Sequence, residues 1–123
     1  MVNVSLIQNK FKFILMQLQN DALADGKISS DEKKILSNFR DIVKDLPEII
    51  ETMAETSELH PDSDDKEDII KILDEVFQFI LSHLLDEAKK SGDIKQDQFE
   101  LLETISKKLE DYLDQYISTG NLN

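Results

Sequence analysis

The chain contains no cysteine and no tryptophan, and its 123 residues include only three glycines and two prolines. The absence of cysteine excludes thiol nucleophiles, iron–sulfur clusters and cysteine zinc sites, and it fits a reducing compartment. Scarce glycine and proline disfavour many tight β-turns, whereas abundant leucine, isoleucine, lysine, glutamate and aspartate favour long helices. A chain of this length can bury a core as one domain without a metal or a disulfide. We therefore expect an all-α protein.

Positive charge is also scarce, because 14 lysines and arginines stand against 26 aspartates and glutamates, a formal net charge of −12. A surface of this sign repels phosphate backbones at long range. Arg40 is the single arginine, so the chain has little of the side chain that makes bidentate contacts to bases and phosphates. We therefore expect no nucleic-acid partner.

The sequence indicates neither a targeting segment nor a membrane span. Residues 1–5 show no basic region, apolar run or small-residue cleavage site, so a cytoplasmic location is the expectation. The most apolar stretch, 69–88, has the length of a span but carries five charged residues and a histidine. That is too much charge for hydrocarbon, and we expect a buried helix there.

Apolar residues recur every three or four positions along most of the chain, which is the period of an amphipathic helix. The pattern predicts a first helix that ends near Gly26, a second over 35–46 and a short third helix that begins around Pro47. The segment 58–68 has six acidic residues against one lysine, and we expect a solvated linker whose acidic end caps a fourth helix. A fifth helix is predicted to end at Gly120. It is expected to bury Phe99, Leu101, Leu102, Ile105, Leu109, Tyr112, Leu113 and Tyr116.

The sequence also repeats itself. At an offset of 66 residues, positions 4–46 align with 70–112, and 11 of the 43 pairs are identical. Each half predicts a helix–turn–helix hairpin, and two hairpins can pack face to face around a pseudo-twofold axis with the third helix across the join. We expect a five-helix bundle in a single domain, 1–123. Its parts are a hairpin repeat over 4–46, a short helix and acidic linker over 47–68, and a hairpin repeat over 70–117.

The turn between the first two helices is the candidate ion site. Residues 21–32 resemble the twelve-residue calcium loop of an EF-hand, with Gly26 at the sharp turn and acids at the first and last positions. The candidate metal ligands are Asp21, Asp25, Ser29 and Glu32. Leu23 stands where such a loop normally has a carboxylate or amide, so the loop is degenerate.

A capped turn explains the same residues without an ion. The apolar stripe continues past Asp21, so the first helix can run to Asp25 and end with Gly26 in the left-handed conformation. Ser29 and Glu32 then form a capping box that begins the second helix. The second repeat keeps the glycine but has glutamine in place of the last acid. It therefore favours the capped turn over an ion-binding loop.

Residues 22–32 also resemble the helix–turn–helix signature of TerB-like proteins, the tellurite-resistance group of small acidic helical domains. In that signature an alanine-rich helix ends in Asp-Gly, and an isoleucine, a serine and a glutamate follow. The resemblance covers the first hairpin and, more weakly, the second. It implies an all-helical, intracellular, non-enzymatic scaffold whose acids can bind a divalent ion, here at Asp25 and Glu32. In the second hairpin Ser91 and Gln98 replace both acids.

No catalytic motif is present. The chain lacks a Gly-x-Ser-x-Gly elbow and a Gly-rich phosphate loop, and no second histidine stands at ligand spacing from His83. We expect no enzymatic activity and no cofactor, with calcium or another divalent cation as the alternative. Phe13 and Phe79 are expected in the core. Two tyrosines are expected at the edge of a groove between the hairpins, Tyr112 and Tyr116.

The expected function is that of a small acidic helical interaction or scaffold module. Its alternative is calcium binding through the turn 21–32. Exposed apolar residues mark contact sites on such modules, and we expect Leu85 and Ile117 to lie exposed. The partner is then another protein or a second copy of the chain.

Overall fold

Five α-helices form in a computed structural model, which describes residues 4–24, 26, 28–56, 59–61, 63–90 and 92–123. The helices are α1 (Val4–Ala24), α2 (Ser30–Lys44), α3 (Leu46–Thr56), α4 (Lys66–Lys89) and α5 (Gln96–Thr119). No strand occurs in these ranges, and the predicted all-α, five-helix fold is confirmed. Within the same ranges, none of the helices combines the length and apolarity needed to cross a bilayer.

Glycines follow the ends of α1 and α4, as the sequence predicts. Gly26 has a φ of +83°, and its N–H donates a 3.0 Å hydrogen bond to the Leu23 carbonyl. Gly92 has a φ of +115° and donates at 3.1 Å to the Lys89 carbonyl. Residues other than glycine adopt such φ values only with strain. Nothing lies within 4 Å of the place a Cβ would take at either glycine, so backbone conformation alone selects glycine.

A single residue, Asp45, separates α2 from α3. Its carbonyl accepts a 3.0 Å hydrogen bond from the Ile49 N–H, so it begins the short third helix. Pro47 stands in the first turn of α3, where its missing N–H removes no intrahelical bond. From α1, the Gln8 side chain donates at 2.9 Å to the Val43 carbonyl in the last turn of α2. These contacts fix the positions of α2 and α3 relative to each other and to α1.

Three aromatic rings from three helices meet in the core. The Phe11 centroid in α1 lies 5.8 Å from that of Phe77 in α4 and 5.9 Å from that of Tyr112 in α5. All three side chains are buried, and tilted or edge-to-face pairs of this kind stabilise beyond the area they bury. The Tyr112 hydroxyl donates at 2.7 Å to the Leu122 carbonyl. This bond holds the segment after α5 against the core.

Three phenylalanines that the sequence places in the core are exposed, so this prediction was wrong. Phe13 is 51% exposed, Phe79 37% and Phe99 50%. Phe13 lies about 100° around the axis of α1 from Ile14, the nearest buried side chain. Phe79 and Phe99 lie within about 60° of buried residues of their own helices, at the border of the buried stripe. The helical period predicts which residues share a face, but the neighbouring helices decide how wide a face is covered.

Tyr112 and Tyr116 are buried, with exposures of 2% and 4%, as predicted for the fifth helix, because they continue the buried stripe of α5. Tyr112 also lines a small pocket between α1 and α5, whereas Tyr116 does not. One residue is more buried than predicted. Leu59 is buried within the acidic segment that was expected to be solvated, and it packs into the core cluster. Asp65 is the N-cap residue of α4, yet its carboxylate makes no capping hydrogen bond.

Candidate functional site

The turn between α1 and α2 has the capped geometry. Ser29 Oγ accepts from the Glu32 N–H at 3.1 Å, and Glu32 Oε1 accepts from the Ser29 N–H at 3.3 Å. This is the predicted capping box. Asp21 lies in the last turn of α1 and is exposed. The fourth candidate ligand, Asp25, lies outside the described residues.

The N-termini of α2 and α5 contact each other through two reciprocal bonds. Ser29 Oγ donates to Asp97 Oδ2 at 2.7 Å, and Lys95 Nζ donates to Asp31 Oδ2 at 2.8 Å. In each bond the N-cap residue of one helix meets the second residue of the other helix. Two hairpins related by the offset of 66 residues would make such contacts, although the repeat itself stays a prediction.

Each of these bonds shifts the pKa of one partner. The hydrogen bond from Ser29 lowers the pKa of Asp97 below its ordinary value. The hydrogen bond and the charge of Asp31 raise the pKa of Lys95. These shifts favour the carboxylate form of Asp97 and the ammonium form of Lys95, which are the forms that make the two bonds.

A cavity of about 280 Å³ lies beside the turn, between α1, α2 and α5. Four carboxylates line it, those of Asp21, Glu32, Asp97 and Glu100. Glu32 and Asp97 already accept hydrogen bonds from the turn itself. Across the described ranges, no three aspartate, glutamate or histidine side chains lie close enough to hold a metal ion. The structure thus brings Asp21 and Glu32 to one cavity without forming a ligand set there.

A larger groove, of about 430 Å³, lies between α2, α3 and α4 and is named here the α2–α3–α4 groove. Its volume lies within the range of small-molecule pockets. No lysine or arginine is among the described residues that line it. The lining residues are Asn38, Asp41, Ile42, Asp45, Glu48, Ile49, Thr52, Met53, Phe79 and His83.

The groove has an apolar floor and an acidic rim. Ile42 is buried, and Ile49 and Met53 are half-buried. The three carboxylates that line the groove are exposed, those of Asp41, Asp45 and Glu48. The burial of the apolar side chains below exposed carboxylates suits a ligand that is both apolar and cationic.

An aromatic pair closes the α4 side of the groove. The rings of Phe79 and His83 stack with centroids 5.9 Å apart and an interplanar angle of 14°. His83 is exposed. Phe79 is 37% exposed, so a ligand in the groove can contact its ring. The stack with His83 holds that ring in place.

The chain matches no protein-family model, no curated protein and no solved structure.

Sequence reasoning did not predict the α2–α3–α4 groove. One signal was available, because Asp41, Asp45 and Glu48 are spaced by four and three residues and so mark one face across the α2–α3 junction. Ile42 and Ile49 follow two of these acids directly. The approach of Phe79 from α4, which completes the groove, depends on helix packing that no local pattern shows.

Proposed function

We propose that this protein is a non-enzymatic interaction module and that the α2–α3–α4 groove binds an amphipathic helix of a partner protein. The observation that carries the proposal is the combination of an apolar floor with a rim of three carboxylates. The helix that fits presents apolar side chains to the floor and lysine or arginine to the rim. Helix-in-groove recognition of this kind uses apolar anchors one and two turns apart.

The dimensions of the groove suit such a helix. Along α2 its lining extends from Asn38 to Asp45, which is about two helical turns or roughly 10 Å. Ile42, Met53 and Phe79 come from three different helices and so surround a side chain that enters between them. An apolar anchor and its neighbour one turn away can therefore both reach the floor.

The resemblance of residues 22–32 to TerB-like proteins agrees with this proposal, because it implies a non-enzymatic scaffold. The hydrogen bonds that join the N-termini of α2 and α5 give such a scaffold a fixed arrangement of its hairpins. Leu85 and Ile117 are exposed, as the sequence predicts. They do not form one surface, because Ile117 contacts Lys66 at the start of α4 and Leu85 lies about five turns further along that helix.

A designed peptide pair tests the proposal. A fluorescein-labelled helix of about four turns carries leucine at every third or fourth position and lysine on both flanks, and its control carries glutamate in place of every lysine. Fluorescence anisotropy with the full chain should show binding of the lysine peptide and much weaker binding of the glutamate peptide. Equal binding of both peptides would contradict the charge argument.

Two substitutions locate the binding surface. Phe79→Ala should weaken binding of the lysine peptide by about tenfold, because an aromatic anchor of the groove is lost. Asp45→Lys should weaken it by roughly two- to fivefold through the rim charge. Phe99→Ala is the matched control, since Phe99 is similarly exposed but lies outside the groove. Loss of binding in Phe99→Ala would show that the peptide attaches nonspecifically.

Divalent-cation binding is the second candidate, favoured by the four carboxylates around the cavity beside the turn. Calcium titrated into the metal-free protein should then move the amide NMR signals of Gly26 and Lys27 below about 1 mM ion. Asp25→Ala and Glu32→Gln should each abolish the response. Unmoved signals at the turn would remove this candidate and leave the groove proposal intact.

A further inference from the structure

We propose that the helix which occupies the α2–α3–α4 groove is α1 of a second copy of this chain, so that copies associate head to tail. This inference rests on the proposed function, because it names the occupant of the same groove. The surface of α1 that would enter the groove is the one that no other helix of the described chain covers.

This surface, the outer face of α1, carries three large apolar side chains in contact with solvent. Phe13, Met16 and Leu23 are 51%, 58% and 64% exposed, whereas the opposite side of α1 is buried through Phe11 and Ile14. No other helix in the described ranges exposes more than two large apolar side chains. A helix that is apolar on two sides is usually covered on both.

The charges of the outer face match those of the groove. Lys12 is exposed on this face, and Lys10 Nζ lies 5.5 Å from the centre of the Phe13 ring. Asp21, near the end of α1, is the only acidic residue of the helix. The outer face around Phe13 and Met16 is therefore an apolar surface flanked by lysines, which is what the acidic rim of the groove selects.

The charge distribution along the whole chain favours contact between unlike parts. Residues 1–44 contain seven basic and five acidic residues, whereas residues 45–123 contain seven basic and 21 acidic residues. A contact between two acidic parts would bring like charges together. A contact between α1 of one copy, which has two lysines and one aspartate, and the groove of the next, whose rim acids Asp41, Asp45 and Glu48 come from both parts, avoids this. At about 0.15 M salt the remaining long-range repulsion is screened beyond roughly 8 Å.

One chain can offer both surfaces at once. The residues that line the groove come from α2, α3, α4 and the residue between α2 and α3, and none of them belongs to α1. Phe13 and Met16 are about 4.5 Å apart along the helix axis, well within the length of the groove. Because the two surfaces differ, a dimer keeps one free groove and one free outer face, and the association continues with concentration.

Two full-length variants test this arrangement. Met16→Glu places a charge on the outer face, and Phe79→Glu places one in the groove. Each variant alone should have an association constant at least about tenfold below that of the wild type. It should therefore stay monomeric at concentrations at which the wild type associates. An equimolar mixture of the two should form a 1:1 dimer, because the intact groove of one variant accepts the intact α1 of the other.

Sedimentation velocity at about 0.15 M salt and up to about 1 mM chain measures these states. Phe99→Glu is the matched control and should associate like the wild type, because Phe99 is as exposed as Phe13 but belongs to neither surface. If circular dichroism shows that Phe79→Glu is unfolded, the Asp41→Lys/Asp45→Lys double variant replaces it.

Three results would overturn the inference. They are a wild type that stays monomeric throughout, a mixture that stays monomeric although the wild type associates, and a Phe99→Glu variant that loses association equally. Binding of the lysine peptide distinguishes a wrong occupant of the groove from a wrong binding site. A monomeric wild type that still binds the peptide through Phe79 refutes only the identity of the occupant, whereas absence of peptide binding refutes the groove proposal itself.

Discussion

Replacement of Ser29 by alanine tests whether the turn between α1 and α2 is held by capping. The substitution removes the acceptor of the 3.1 Å bond from the Glu32 N–H and the donor of the 2.7 Å bond to Asp97. Loss of an N-cap serine costs about 1 kcal/mol. Loss of a part-buried hydroxyl–carboxylate bond costs about another 1 kcal/mol. We expect the free energy of unfolding to fall by about 2 kcal/mol, a large share of the roughly 5–15 kcal/mol typical of a domain.

Urea unfolding followed by far-ultraviolet circular dichroism measures this change, since the chain is helical and has no tryptophan. Ser30→Ala is the control, because Ser30 is an exposed helical residue next to the cap and should cost less than about 0.5 kcal/mol. A double-mutant cycle with Asp97→Ala should give a coupling of about 1 kcal/mol. A Ser29→Ala variant as stable as Ser30→Ala, or a coupling near zero, would refute the capping argument.

Three further predictions concern the core, the turn and pH. Phe77→Ala should lower the free energy of unfolding by about 3–5 kcal/mol, whereas Phe13→Ala should change it by less than about 0.5 kcal/mol, both by urea unfolding. Gly26→Ala should cost about 1 kcal/mol in the same assay, because its φ is positive and no steric clash adds to the cost. The lowered pKa of Asp97 gives stability that is present above about pH 4 and lost as pH falls through the folded pKa. Stability measured against pH should therefore decline less in acid for Asp97→Asn than for the wild type.

Local chemistry made the helix ends predictable from the sequence. A serine three residues before a glutamate satisfies free backbone groups wherever it occurs, so the cap formed by Ser29 and Glu32 needed no knowledge of the packing. Gly26 and Gly92 were predictable for the same reason, because a positive φ after a helix favours glycine in any surroundings.

Burial was predictable only where a helix has one apolar side. In α1, Phe11 and Phe13 lie on different sides, and the sequence does not say which side neighbouring helices cover. Leu59 lies among acidic residues, whose charge predicts a solvent-exposed segment. Its side chain nevertheless packs into the core. The α2–α3–α4 groove depends on how three helices approach one another, so its residues, Phe79 above all, could not be assigned from spacing.

The most direct test of the interaction proposal is an amide NMR titration of the isotope-labelled chain with the lysine peptide. Saturable shifts are expected along the groove, at Asp45 between α2 and α3, Met53 in α3 and Phe79 in α4. Signals around Phe99 should not move. Shifts spread evenly over the acidic surface, or centred on Gly26 in the turn, would contradict binding in the groove.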